Sequence, residues 1–427
     1  MTTEERPEFP EPRTVSAVTD RLDLAEGTAE VLDSLRRSLA GAAVTAPLPT
    51  DRAERRQALA MLRPQFRVEE SDAAAIVATS GSTGRPRGVV LSRSALVASA
   101  AATHRRLGGP GTWVLALPAH YVAGLMVLVR SLVAERPVLE VDPRLDALRA
   151  LELGGDGPHY LSLVPTQLTR ALTDPVRTAA VCRFDAVLLG GAAADPALLE
   201  RAADAGIAVV TTYGMSETCG GCVYDGVPLD GVTVTADDSG RLGIGGPSVF
   251  AGYRLDPEAT AEALVGGRLL TRDRGRLDAD GRVTVLGRID DVVISGGLNV
   301  DLAAVERAVR DWAGGDGVGV EAAVVGVPHP DWGTEVVAVV AEEQNRALVP
   351  AAAPDPRSVV SMEGRFFVSD LRTALAGRLP GYALPRRVVV RPTLPRTSGG
   401  KIDRRRLIAD LIADPTEPSL DRPEDPT

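Results

Sequence analysis

The chain has 427 residues, which is enough for two or three compact domains rather than one. With 44% hydrophobic and 24% charged residues, its composition is typical of a soluble globular protein. The net charge of −10 gives no reason to expect nucleic acid as a partner. No apolar run approaches the ~20 residues of a membrane span, so membrane insertion is not expected. Three cysteines argue against a disulfide framework and indicate a reducing cytoplasm.

The two ends of the chain have the composition of disordered tails, over 1–20 and 413–427. The first of them lacks the apolar core of a secretory signal. After it, the apolar spacing from about 24 to 63 is helical and predicts helix there.

From 73 to 212, strand and helix patterns alternate. The apolar run 73–79 predicts a strand, and Ser92 is placed to cap a helix over about 93–106. Strands are then predicted at 113–117, 137–141, 159–164, 184–189 and 207–212, with helices at 121–134, from Pro165 onward and at 196–205. Several of these strands are apolar throughout, as in a parallel sheet that is covered on both faces.

Ligands of such sheets bind beyond the carboxyl ends of the strands. A functional site is therefore expected in the loops that follow Thr79, Leu117, Leu189 and Thr212.

After about residue 226, short alternating strands and tight turns predict a small antiparallel barrel or sheet, as in the hairpin that turns at 278–281. A third unit is predicted from Asp290. It has helices at about 302–312 and 370–376, strands at 322–327, 335–341 and 387–390, and a surface loop at 343–364. The predicted fold class is α/β. A large N-terminal domain of parallel α/β sheet layers covers 21–289, with a β-rich part over 226–289, and a small mobile α+β C-terminal domain covers 290–412.

A loop of Gly, Ser and Thr with two arginines follows the strand at 73–79. Glycines let the backbone approach a phosphate, hydroxyls and N–H groups supply donors, and Arg85 and Arg87 supply charge. The loop lacks the Gly-Lys-Ser/Thr of a Walker loop and the Gly-x-Gly-x-x-Gly of a dinucleotide fingerprint. It predicts a polyphosphate cradle, and a flexible surface turn is the alternative for such a run by itself.

The string Thr-Ser-Gly-Ser-Thr-Gly-Arg-Pro-Arg-Gly resembles the phosphate-binding motif of the adenylate-forming superfamily, which contains acyl-CoA synthetases, nonribosomal peptide adenylation domains and luciferases. Arg87 stands where the family usually has lysine, which keeps the charge and changes its shape. The resemblance implies ATP binding by Thr79, Ser80, Gly81, Ser82, Thr83, Gly84 and Arg87, with Thr83 also a ligand of Mg²⁺.

The string Tyr-Gly-Met-Ser-Glu-Thr at 213–218 resembles the superfamily's adenine and Mg²⁺ motif. Tyr213 could stack on a flat base, and Glu217 is a hard oxygen ligand suited to Mg²⁺ on a triphosphate. The segment Gly-Gly-Ala at 190–192 resembles the one that lies along the adenine. The nucleotide-binding residues implied here are Gly191, Ala192, Thr212, Tyr213, Gly214, Met215, Ser216 and Thr218.

Two further motifs concern the ribose and the joint between the domains. The segment 270–273 resembles a Thr-Gly-Asp motif whose carboxylate binds the ribose diol, here Asp273, with Arg272 in place of the usual glycine. The segment 287–299 resembles the joint between the large and small domains. There the resemblance makes Arg288 a ribose or phosphate contact and Asp290 the hinge. Room for a pantetheine arm is left by Gly296 and Gly297.

The segment 394–403 resembles the C-terminal motif whose lysine reaches the α-phosphate and the carboxylate. An ammonium on a long stem can neutralise charge that develops as a carboxylate attacks phosphorus. Lys401 is therefore the first predicted catalytic residue, with Glu217 and His120.

The segment 118–124 matches the acyl-CoA synthetase branch, in which a His or aromatic residue flanks the acyl pocket and the CoA channel. His120 could equally be a satisfied interface residue. The pair Cys219 and Cys222 could bind metal or be redox-active, but Cys182 and four scattered histidines complete no site, so we interpret the pair as shaping the acyl pocket. The substrate- and CoA-binding residues implied are His120, Tyr121, Gly124, Gly190, Gly220, Gly296 and Gly297.

The resemblance covers about 70–405, and the compact form is similar to o-succinylbenzoate–CoA ligases of menaquinone biosynthesis. It implies ATP, Mg²⁺ and coenzyme A, with o-succinylbenzoate as the carboxylic acid. Two alternatives remain open: a CoA ligase for another aromatic or short acid, and an adenylating enzyme that loads a carrier protein. A degenerate nucleotide-binding protein is disfavoured by the intact Glu217, Asp273 and Lys401. The sequence leaves the oligomeric state open, with a homodimer as one expectation, and does not identify the group that holds the second carboxylate of the substrate.

Overall fold

The structure is a computed structural model that describes residues 22–70, 72–79, 87–313, 321–341, 368–397 and 401–413. The first strands are β1 (Leu22–Glu26), β2 (Val44–Leu48), β3 (Ala73–Thr79), β4 (Arg87–Ser92), β5 (Thr112–Leu115), β6 (Leu139–Glu140), β7 (His159–Leu163), β8 (Ala186–Leu189), β9 (Val209–Met215), β10 (Gly220–Tyr224) and β11 (Val227–Pro228). They are followed by β12 (Thr233–Ala236), β13 (Arg241–Gly245), β14 (Gly252–Tyr253), β15 (Leu264–Val265), β16 (Arg268–Leu277), β17 (Val283–Arg288), β18 (Val292–Ser295), β19 (Leu298–Asp301), β20 (Ala322–His329), β21 (Gly333–Ala341) and β22 (Arg387–Arg391).

The helices are α1 (Gly27–Leu39), α2 (Arg52–Leu62), α3 (Arg93–Leu107), α4 (Val122–Val133), α5 (Pro165–Leu172), α6 (Pro175–Val181), α7 (Pro196–Asp204), α8 (Pro257–Ala263), α9 (Leu302–Ala313), α10 (Val368–Leu375) and α11 (Arg404–Ala413). None of these described helices combines the length and the apolar composition that crossing a membrane requires.

Local chemistry explains where α3 begins and ends. The Ser92 side chain accepts a hydrogen bond from the N–H of Ala95 at 3.1 Å, as its position in the sequence predicts. The helix ends at Gly108, whose φ of +98° lies in the left-handed region that favours glycine.

A seven-stranded sheet has the order β11-β10-β9-β8-β7-β5-β6, and the strands from β9 to β6 are parallel. Every residue of β8 is buried, which agrees with a strand covered on both faces. The parallel sheet that the apolar runs predict is confirmed.

A second sheet has the order β1-β2-β3-β4-β14. The main core lies between the two sheets and is formed by α1, α3 and α4, with buried side chains such as Leu35, Leu96 and Leu125. The outer face of the second sheet is covered by α2, and that of the seven-stranded sheet by α5, α6 and α7.

The prediction of helix from 24 to 63 is wrong in part. Helices α1 and α2 form there, but β1 and β2 precede each of them as parallel strands. In β1 the buried residues Leu22 and Ala25 are three apart, which fits a helical spacing, and in β2 the apolar residues are interrupted by Thr45 and Pro47.

The predicted antiparallel sheet after residue 226 is confirmed, with the order β12-β13-β16-β15 and β17 paired to β16. The hairpin of β16 and β17 turns at Gly281, whose φ is +76°. Its register places Asp273 opposite Arg288, so the ribose and domain-joint motifs lie side by side.

Beyond Asp290, the hairpin of β18 and β19 leads to a three-stranded sheet with the order β20-β21-β22. One face of this sheet is covered by α9 and α10, and the other by α11. The predicted loop at 343–364 and the predicted tails lie outside the described residues, except that Ala413 ends α11. The domain boundary at Asp290 stays a prediction.

Candidate active site

The strands that precede and follow the glycine-rich segment, β3 and β4, pair antiparallel. Thr79, which ends β3, is paired with Arg87, which begins β4, and its hydroxyl donates to the Arg87 carbonyl oxygen at 3.3 Å. The two ends of the loop are therefore held together. The other predicted phosphate-binding residues lie outside the described residues: Ser80, Gly81, Ser82, Thr83 and Gly84.

The Arg87 side chain rests on an aromatic ring. Its guanidinium carbon lies 4.7 Å from the ring centroid of Tyr253, and its Nε lies 3.7 Å from Oδ2 of Asp256. That Nε is buried and has no hydrogen-bond partner within the described part of the chain. A planar guanidinium stacks on a ring in a way that an ammonium does not, so the ring suits arginine at this position.

A cavity of about 250 Å³ lies beside the carboxyl end of β8. Its lining includes Leu189, Ala192, Thr212, Tyr213, Val283 and Val285. A Cβ on Gly190 would lie 2.3 Å from the Thr212 hydroxyl, and one on Gly214 would lie 2.0 Å from the carbonyl oxygen of Gly220. These glycines are needed for the close approach of the chain segments around the cavity. A largely apolar cavity with an aromatic ring has the chemistry that binds a purine base.

Tyr213 connects this cavity to the predicted ribose site. Its hydroxyl donates to Oδ2 of Asp273 at 2.7 Å. Burial, and then the Asp273 carboxylate, raise the pKa of Tyr213, so its hydroxyl stays protonated and remains a donor. The Asp273 N–H donates in turn to the Thr271 hydroxyl at 3.0 Å. The adenine and ribose motifs therefore meet in direct contact.

Glu217 lies in a short 3₁₀ turn directly after β9. Its Oε1 accepts a hydrogen bond from the Tyr253 hydroxyl at 2.9 Å. The described residues contain no group of three or more His, Cys, Asp and Glu that could hold a metal by itself. A single carboxylate, linked through Tyr253 to Arg87, fits Mg²⁺, which is commonly bound by one or two carboxylates together with substrate phosphates.

Thr218, predicted to bind nucleotide, is fully buried. Its Oγ1 accepts from the Met215 N–H at 2.9 Å and donates to the Gly220 carbonyl oxygen at 2.7 Å. The hydroxyl therefore shapes the turn that carries Ser216 and Glu217.

The loop of Lys401 is held in shape by its backbone. The Thr397 N–H donates to the Lys401 carbonyl oxygen at 2.8 Å, and the Asp403 N–H donates to that of Pro395 at 2.7 Å. These contacts close a short hairpin between β22 and α11, with Lys401 on it.

Lys401 is exposed as a residue, yet the protein around its ammonium removes enough water to lower its pKa. The guanidinium of Arg288 acts in the same direction, and the carboxylates of Asp273 and Glu217 act in the opposite one. The ammonium is therefore within electrostatic reach of the predicted ribose and metal ligands, which are far from it in sequence.

Lys401 is also the only lysine of the sequence. All other members of the 47 Lys and Arg residues are arginine, including Arg87 at a position where the family usually has lysine. Position 401 keeps an ammonium in a chain that uses guanidinium groups everywhere else.

Asp290, the predicted hinge residue, forms two ion pairs. The guanidinium of Arg272 lies 3.2 Å from Oδ1 of Asp290, and that of Arg288 lies 3.3 Å from Oδ2. The arginine that replaces the usual glycine of the ribose motif thus contacts the joint between the predicted domains.

Gly296 and Gly297 form the turn of the β18–β19 hairpin, with φ values of +58° and +81° that favour glycine. A Cβ on Gly296 would lie 3.0 Å from the Trp332 ring, while one on Gly297 would meet nothing within 4 Å. Their contact with a pantetheine arm stays a prediction.

On the acyl side, His120 and Tyr121 lie between β5 and α4 with ring centroids 4.2 Å apart. Burial lowers the pKa of His120, opposed by the charge of Glu54, so the imidazole is neutral near pH 7. Its buried Nε2 has no hydrogen-bond partner among the described residues, which favours a pocket residue over a satisfied interface histidine. At the start of α4, a Cβ on Gly124 would lie 2.2 Å from the Pro118 carbonyl oxygen.

The cysteines carry no sign of metal or redox chemistry. All three are free, and Cys219 and Cys222 are buried in the core between the sheets. Burial raises the pKa of both thiols, that of Cys222 to about 12, so both stay protonated.

Two polar residues with contacts of interest, Tyr253 and Arg130, belong to none of the sequence motifs. Tyr253 is 36 residues from Glu217 along the chain, and no local pattern marks it. Arg130 is 4% exposed, its guanidinium carbon lies 4.9 Å from the Trp113 ring centroid, and it donates to the Tyr224 hydroxyl at 3.4 Å. A lone arginine in the otherwise apolar α4 is the signal that could have revealed it.

The sequence is similar to known proteins along most of its length. The AMP-binding enzyme family matches residues 11–272, and the AMP-binding enzyme C-terminal domain matches 318–401. A probable 2-succinylbenzoate–CoA ligase of Mycobacterium tuberculosis is 41% identical over 397 residues, which cover 89% of this chain and 95% of the relative. A 2-succinylbenzoate–CoA ligase of Listeria monocytogenes is 30% identical over 359 residues, which cover 79% of this chain and 70% of the relative.

The fold is similar to that of the o-succinylbenzoate CoA synthetase from Bacillus subtilis, solved with its acyl-adenylate intermediate. The two share 23% identity with a TM-score of 0.68, over 91% of this chain and 88% of the other. This likeness confirms the predicted α/β fold class. Because one family match spans more than half of the chain and a relative at 41% identity spans most of it, the chain belongs to the AMP-binding enzyme family.

Proposed function

We propose that the chain is an AMP-forming ligase that joins 2-succinylbenzoate to coenzyme A through an acyl-adenylate. The observation that carries this proposal is the contact of Tyr213 with Asp273 at 2.7 Å, which brings the predicted adenine and ribose motifs together. The names of the sequence relatives support the choice of acid and acceptor.

In the first half-reaction, a carboxylate oxygen of the acid attacks the α-phosphorus of ATP, and pyrophosphate leaves with the electron pair of the broken P–O bond. Arg87 and Lys401 neutralise charge on the phosphates, and Asp273 binds the ribose hydroxyls. Mg²⁺, held by Glu217 and phosphate oxygens, would neutralise further charge on the triphosphate. This chemistry needs positioning and charge rather than a protein nucleophile, which agrees with the groups present.

In the second half-reaction, the thiolate of coenzyme A attacks the acyl carbonyl carbon, and AMP leaves. The C-terminal domain turns about Asp290 and withdraws Lys401 so that the thiol can approach past Gly296 and Gly297. His120 lies on the acyl side and flanks this path.

One carboxylate of 2-succinylbenzoate reacts, and the group that binds the other carboxylate stays unassigned. The buried Arg130 lies in the last turn of α4, about 12 Å along the helix from its start at the predicted acyl pocket, and packs against Trp113 and Tyr224.

Pyrophosphate release with Mg·ATP and coenzyme A tests the proposal across o-succinylbenzoate, benzoate, a medium-chain fatty acid and several amino acids. A response to o-succinylbenzoate alone is expected. A response to another acid would keep the chemistry and discard the substrate, and adenylate formation without turnover of free coenzyme A would favour a carrier-protein acceptor. Free cysteines support a cytoplasmic location, and a homodimer stays a prediction.

A further inference from the structure

Tyr253 is fixed next to Arg87 by the backbone. It lies on the two-residue strand β14, whose partner is β4, with Tyr253 opposite Val89. Its N–H also donates to the Thr260 hydroxyl at 2.9 Å. Because β4 begins at Arg87, this pairing sets the position of the tyrosine relative to the loop arginine.

The ring and the hydroxyl of Tyr253 contact two groups of opposite charge. The guanidinium of Arg87 lies over the ring face at 4.7 Å, and the hydroxyl donates to Oε1 of Glu217 at 2.9 Å. The Tyr253 side chain therefore lies between Arg87, the cation predicted to bind phosphate, and Glu217, the predicted metal ligand, and sets their spacing.

We propose that Tyr253 is a positioning residue for Mg·ATP, whose hydroxyl orients Glu217 and whose ring seats Arg87. The inference rests on the proposed function, in which Glu217 holds the metal and Arg87 contacts the phosphates. Hydrogen-bond partners of metal ligands tune metal affinity, and their loss typically costs about 10- to 100-fold. The ring contact also suits arginine at position 87, because arginine makes cation–π contacts more often than lysine does.

Equilibrium binding of ATP to the full chain, with Mg²⁺ and then with EDTA and without any acid substrate, separates the two contacts. Tyr253→Phe removes only the hydroxyl. It should leave the affinity for metal-free ATP unchanged and reduce the gain in affinity on adding Mg²⁺ about tenfold. Tyr253→Leu removes the ring as well and should also weaken metal-free ATP binding about two- to fivefold. Tyr382→Phe, the same chemical change on an exposed tyrosine, is the matched control and should alter neither quantity.

A merely structural role predicts a different pattern, in which the melting temperature falls and both affinities weaken together; that pattern overturns the inference. A full Mg²⁺-dependent gain in Tyr253→Phe overturns it as well, while leaving the proposed function intact. Failure of the unchanged chain to bind ATP would overturn the proposed function and this inference with it. If Tyr253→Phe does not fold, Arg87→Lys tests the contact of Arg87 with the Tyr253 ring. Its affinity for metal-free ATP should fall about two- to fivefold, and an unchanged affinity refutes the ring contact.

Discussion

Replacement of Lys401 by arginine tests whether the site needs an ammonium or only a positive charge. Partial desolvation and the charge of Arg288 lower the pKa of the ammonium, and the carboxylates of Asp273 and Glu217 oppose this, so the position of the charge in the site matters. A guanidinium is larger, planar and spreads its charge. Loss of one preorganised donor to developing charge costs about 10²- to 10³-fold in rate, or about 2.7–4 kcal/mol. We expect Lys401→Ala near the upper end of this range and Lys401→Arg near the lower end.

The two half-reactions are measured separately. Pyrophosphate exchange reports adenylate formation, and consumption of preformed acyl-adenylate by coenzyme A reports the second step. Both variants should lose the first activity and keep most of the second, because the proposed mechanism withdraws Lys401 before the thiol attacks. Equal loss in both half-reactions, or full adenylate formation by Lys401→Arg, would refute the reasoning.

The lowered pKa of Lys401 gives this prediction a pH signature. As pH rises through that pKa, the ammonium loses its charge at a lower pH than an ordinary lysine, so adenylate formation should fall on the alkaline side. Lys401→Arg keeps its charge and should lack this fall. Since Lys401 is the only lysine, amine-reactive labelling of its peptide reports the deprotonation directly, and it should occur at lower pH than in a free lysine derivative. Labelling that follows the free lysine would contradict the lowered pKa.

Two other substitutions probe the fold and the hinge. Gly214→Ala places a Cβ 2.0 Å from the carbonyl oxygen of Gly220, so the free energy of unfolding should fall by about 1–3 kcal/mol in chemical denaturation; an unchanged value would contradict the close approach. Arg272→Gly removes an exposed ion pair with Asp290, so stability should change by less than about 1 kcal/mol while the ratio of the two half-reaction rates shifts toward the second. An unchanged ratio would exclude that pair from the hinge.

The burial of a strand and the capping of a helix were predictable from the sequence because a few neighbouring residues decide them. The buried strand Ala186–Leu189 shows its burial in its apolar run, and Ser92 caps α3 through a contact three residues away. The strands β1 and β2 were not predicted, because the buried residues of β1 are three apart, as in a helix, and Pro47 interrupts the apolar residues of β2.

The sequence by itself determined the chemical groups of the site and the order in which they occur, including the lone Lys401 and the carboxylates Glu217 and Asp273. Only the tertiary structure decided which of these groups touch. The contact of Glu217 with Tyr253 spans 36 residues, and that of Asp273 with Tyr213 spans 60. Such contacts depend on how β14 pairs with β4 and how the antiparallel sheet packs beside the parallel one, and local periodicity carries no information about either.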